Sequence, residues 1–195
     1  MVEEFIQEYE AVRRDLLTLW TAKQRLLLVA LSRFPKSHPL FKAISRLCHN
    51  DATYQIRHLC DVAICDAADQ YGDDFFRDRL VDGVRIPAVT HWYYGISQLL
   101  PEERVKLDRT KQFSDSDLEL LSTVERLSRK FIESASALPF LPAKQFAREE
   151  KRFEQSFSRA QAQVEKHSPL YAAYLRLQDK VPQSIAGDIV ALSGE

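Results

Sequence analysis

The sequence predicts an all-α fold, an irregular helical bundle of about seven to nine helices, with a long N-terminal helix and a second long helix near 143–167. Three observations predict it. Phe5, Tyr9, Val12, Leu16, Leu19, Lys23, Leu26 and Ala30 follow alternating four- and three-residue steps, and neither Pro nor Gly interrupts 1–34. That spacing lines one face of a helix. The chain holds only five Gly, and good helix formers dominate its periodic segments. No stretch sustains the period-two alternation of a half-buried strand.

The first helix should run over 2–34, its second half broadened by Trp20, Leu27, Leu28, Val29 and Leu31. Pro35 and Pro39 end it, because proline has no N–H to donate and clashes with the preceding turn. Ser37 is the expected N-cap of a short helix to 49. Asn50 or Asp51 caps a helix over 52–71, with Ile56, Leu59, Cys60, Ala63, Ile64, Ala67 and Tyr71 inward and Gly72 as its left-handed stop. A short helix over 75–81 follows, then a turn at Asp82-Gly83. Pro87 opens a helix to 100, and Pro101 opens another short segment. The polar stretch 109–117 reads as a loop. Ser114 or Ser116 caps a helix to 138, with Leu120, Leu121, Val124, Leu127 and Phe131 on one side. Pro139 to Pro142 is a rigid connector to the helix over 143–167. Ser168-Pro169 begins a helix to 180, and a weak one spans 184–192. We read 1–195 as a single helical domain, with a subdivision into 1–108 and 118–195 as the alternative.

Composition narrows the function. The 195 residues are 45% hydrophobic and 28% charged, enough to bury a core. A formal net charge of −1 gives no global drive toward nucleic acid or anionic lipid. Cys48, Cys60 and Cys65 read as free thiols of a reducing compartment. The acidic start, Met-Val-Glu-Glu, lacks a signal peptide's basic region, and no window is apolar enough to span a membrane. The expectation is a cytoplasmic protein without membrane contact. There is no Gly-rich phosphate loop, G-x-S-x-G elbow, C-x-x-C or H-E-x-x-H, and no cofactor is expected.

Four groups of residues are candidates for chemistry. Asp51, His58, Asp61, Cys65 and Asp69 share a stripe on the 52–71 helix; His58, Asp61, Cys65 and Asp69 have metal-ligand chemistry, although a solvated acidic face explains the stripe as well. Lys144, Arg148, Lys151, Arg152 and Arg159 are roughly co-facial on the 143–167 helix, as phosphate binding requires. Glu149, Glu150, Glu154 and Glu165 share that helix, so intrahelical ion pairs are the plainer reading. The segment 51–83, with eight Asp against three Arg, could meet a basic partner or that helix itself. Arg33 to His38 and Arg85 to His91 form Arg-x4-His and Arg-x5-His strings. Their spacing resembles that of the all-helical HEPN-class ribonucleases, in which Arg and His stabilise charge and move a proton. Here a proline lies inside each string, and the family's polar residue after Arg is missing.

The expected function is a non-enzymatic helical interaction or adaptor subunit of a multiprotein or homo-oligomeric assembly. Phe5, Tyr9, Val12 and Leu16 are its first candidate contacts, and Phe146, Phe153 and Phe157 its second. Their basis is that a helix of roughly 50 Å exceeds what one domain covers. The alternatives are a nucleic-acid-binding accessory protein using the 144–159 face, and a helical RNase or metal-dependent enzyme.

Overall fold

The computed structural model describes residues 2–49, 52–72, 79–81, 84–86 and 113–167. They form five helices and a short two-stranded ribbon: α1 (Val2–Arg33), α2 (Pro39–His49), α3 (Ala52–Tyr71), β1 (Arg79–Val81), β2 (Val84–Ile86), α4 (Asp115–Ser136) and α5 (Ala143–His167). The architecture is α-helical with a long N-terminal helix. The ribbon corrects the helix expected over 75–81. Arg79–Val81 and Val84–Ile86 pair antiparallel, with Val81 opposite Val84. Asp-Gly between two short runs containing Val, Leu and Ile is a hairpin signal, and it outweighs the helical pattern before it. The count of seven to nine helices is not reached among the described residues. The helices expected at 87–100, 169–180 and 184–192, and the segment opened by Pro101, lie outside them. So does 87–112, on which a division into two domains turns.

Local chemistry sets each boundary. Phe34 still donates its N–H to Ala30 O at 2.9 Å, and Pro35 stops the ladder. His38, not Ser37, caps α2: its Nδ1 accepts the N–H of Leu40 at 3.1 Å and its carbonyl accepts that of Lys42 at 3.0 Å. Pro39 then fills the first helical position, where a missing N–H costs nothing. Gly72 ends α3 at φ +61° as expected. Ser114 starts α4 through a full capping box: its Oγ accepts from Asp117 N at 3.3 Å, and its own N–H donates to Asp117 Oδ2 at 2.8 Å. Phe140, in the connector to α5, takes φ +68°, costly for a residue with a Cβ. Its ring lies 5.9 Å from Phe5 and 6.4 Å from Tyr71, and this packing holds the turn.

α1 and α4 run antiparallel, and the connector after α4 continues along the start of α1. Arg33 Nη2 meets Asp117 Oδ2 at 3.1 Å at one end. Near the middle, Asp15 accepts from Lys130 Nζ at 2.7 Å and Ser134 Oγ at 3.1 Å. At the other end Phe5 meets Phe140. α2 and α3 pack on α5, and α2 also reaches α1. A single core runs from Phe5 through Leu16, Ile44, Ile56 and Phe131 to Val164. Ala63 and Ala67 are fully buried, which lets a neighbour approach α3 closely.

This arrangement corrects the docking expectation for α1. Phe5, Tyr9, Val12 and Leu16 are all 2% exposed or less, so they are core residues rather than an open stripe. The reason is the rest of the fold: α4 packs along α1, Phe140 lies against Phe5, and α3 meets the same seam at Lys23 through Thr53. Phe146, Phe153 and Phe157 are likewise buried, against α2 and α3. Lys23, inside the α1 seam, is buried too and donates from Nζ to Thr53 Oγ1 at 2.6 Å. It adds nothing to a basic surface.

Candidate nucleic-acid interface

Two amphipathic helices that pack through their apolar faces leave their polar shoulders side by side. α2 buries Leu40, Ile44, Leu47 and Cys48, and α5 buries Phe153, Phe157, Ala160 and Val164. Between their shoulders lies a groove of about 680 Å³. α2 contributes Pro39, Lys42, Ala43, Arg46 and Leu47 to it, at steps of three, one, three and one. α5 contributes Arg152, Gln155, Ser156, Arg159, Ala160 and Gln163 at the same helical spacing. Among the described residues the walls thus hold four cations and three neutral hydrogen-bonding side chains, and no carboxylate.

The cations are available for a ligand. Lys42, Arg46, Arg152 and Arg159 are exposed. Among the described residues Lys42, Arg46 and Arg159 make no ion pair. Arg152 Nη1 pairs with Glu149 at 2.8 Å to Oε2 and 3.1 Å to Oε1. Glu149 is only 3% exposed, and Arg148 Nη2 also reaches its Oε1 at 3.1 Å. Glu154 lies 3.9 Å from Arg129 of α4, outside the groove. Such an arrangement can hold the oxygens of phosphates spaced along a chain.

The basic face read from the sequence is therefore split. Lys144, Arg148, Lys151, Arg152 and Arg159 are all exposed on α5, but only Arg152 and Arg159 line the groove. The acidic α3 gives these five residues no ion pair among the described residues. Sequence reasoning missed Lys42 and Arg46. Their four-residue spacing shows a basic pair on one helix shoulder, but nothing local to α2 shows that α5 faces it.

Other candidates are arranged differently. His58, Cys65 and Asp69 are exposed and Asp61 is half-buried. Among the described residues no three His, Cys, Asp or Glu converge as metal ligands. Asp61 instead acts inward. Burial first, and the Asp61 charge second, push the Cys60 thiol up to about 12. Burial and then Asp61 also push the Tyr9 phenol upward. Both groups keep their protons at neutral pH, which suits packing and not nucleophilic chemistry. Of the Arg–His strings, Arg33 pairs with Asp117 and His38 caps α2; His91 lies outside the described residues. No helix among the described residues is long and apolar enough to cross a membrane. No protein family matches the chain, nor does any curated protein or solved structure.

Proposed function

We propose that this chain is a non-enzymatic helical accessory protein that binds nucleic acid through the sugar–phosphate backbone, in the groove between α2 and α5. One observation carries the reading: Lys42, Arg46, Arg152 and Arg159 converge from two helices on a groove that has no carboxylate among its described lining residues. A solvated helix face has no reason to exclude acids, and the rest of the exposed surface of α5 carries Glu150, Glu154 and Glu165 beside Lys144 and Lys151. Gln155, Ser156 and Gln163 add neutral donors of the kind that position a backbone without reading sequence.

The test is a binding titration of the full chain against duplex oligonucleotides of mixed sequence across a range of salt. Four phosphate contacts predict a slope of log affinity on log salt of about −3 to −4. An affinity indifferent to salt contradicts the reading.

A second reading, an adaptor that docks a protein, has support from α3. Tyr54 and Val62, the large apolar side chains most exposed among the described residues, lie eight residues apart on its outer face. That reading predicts a complex that survives nuclease and high salt, the opposite behaviour.

A further inference from the structure

We infer that Arg152 is a pre-oriented phosphate fork in this groove and that buried Glu149 is the residue that positions it. The inference rests on the nucleic-acid reading and divides labour within its site. By sequence Arg148 and Arg152 are equivalent: the same side chain, one turn apart on one helix. Their hydrogen bonds differ. Arg148 turns its Nε and Nη2 edge inward, at 3.2 Å and 3.1 Å from Glu149 Oε1. Arg152 reaches Glu149 through Nη1 alone. Its Nε and Nη2 hydrogens have no partner among the described residues, and Arg152 lines the groove while Arg148 does not.

The edge left open on Arg152 presents two parallel N–H groups, the geometry that matches two oxygens of one phosphate. Glu149 fixes it because a carboxylate this buried strongly disfavours losing its partners. It holds Arg152 by one nitrogen on the protein side, so the opposite edge is set before a ligand arrives. A loose surface arginine would give up side-chain entropy on binding; this one has already lost much of it. Arg148, its fork edge already occupied, serves mainly to complete the pairing of Glu149.

The test is fluorescence anisotropy with labelled duplex DNA and duplex RNA, using the full chain and three variants. Arg152→Lys keeps the charge but loses the fork, and should weaken binding about tenfold. Arg148→Lys should change it by less than about twofold. Glu149→Gln releases Arg152 and should weaken binding roughly fivefold, although it removes a negative charge beside the groove. A groove that works by net charge alone gives the reverse for Glu149→Gln, a tighter complex. Tighter or unchanged binding by Glu149→Gln, or equal losses from the two lysine substitutions, overturns the inference while leaving the groove reading in place. If Glu149→Gln loses its helical circular dichroism, the two lysine variants decide the question. Failure of the unaltered chain to bind either duplex overturns the groove reading, and this inference with it.

Discussion

Reversing two unpaired groove charges, Arg46→Glu with Arg159→Glu, weakens duplex binding about a hundredfold and makes the salt slope shallower by about two. Each reversal removes one charge-assisted contact and adds a repulsion against phosphate, together worth at least about tenfold per site. The fold should not change. Both side chains are exposed and neither makes an ion pair among the described residues. The thermal midpoint should therefore stay close to that of the unaltered chain, because substitutions at exposed sites free of special contacts cost little. The two helices matter equally: Arg46 of α2 should contribute as much as Arg159 of α5. Loss from the α5 substitution alone would mean that one helix face binds and the groove does not.

Leu16→Glu unfolds the protein. Leu16 is 1% exposed, inside the core and on the α1 face that also carries Tyr9 and Lys23, the latter bonded to Thr53 of α3. Removing its side chain alone costs about 2–5 kcal/mol, and a carboxylate without a partner there costs more. Domains of this size hold only about 5–15 kcal/mol in total. The expected result is loss of the cooperative melt and of most helical circular dichroism. An open docking stripe would give something else: intact helix content with lost association. A folded Leu16→Glu variant would contradict the burial of this face of α1 in the core.

The contrast between these substitutions marks what was legible in the sequence. The seam from Phe5 to Ala30 was read correctly as one helical face, since periodicity reports which residues share a side. It does not report what covers that side. The inward row Leu121, Val124 and Phe131 was also visible, yet nothing local says that it lies on α1 rather than on another element. The ion pair between Asp15 and Lys130 spans 115 positions. Helix length alone therefore gave a false surplus of apolar surface. Proline, glycine and serine signals worked where the chemistry is local, as at Pro35, Gly72 and Ser114, while Pro39, expected to help end α1, instead opens α2. They failed where an unusual residue took the role, as when the His38 ring capped α2.

The candidate site was half legible for the same reason. Arg152 and Arg159 appear on one helix face by counting alone. Lys42 and Arg46 join them only because Leu40, Ile44, Phe153 and Phe157 draw α2 and α5 together in the core. The place of Glu149 was hidden further. In sequence it is one of four glutamates on a mixed-charge helix, and only its burial separates it from Glu150 and Glu154.

Lysine acylation footprinting with peptide mass spectrometry tests the central claim most directly. Lys42 lines the groove, while Lys130, 61% exposed, lies outside it on α4, beside Asp15 of α1. Adding duplex at low salt should slow acylation of Lys42 several-fold, leave Lys130 unchanged, and lose its effect at high salt. Equal protection of both lysines, or none at Lys42 when the duplex is bound, would contradict a nucleic-acid site between α2 and α5.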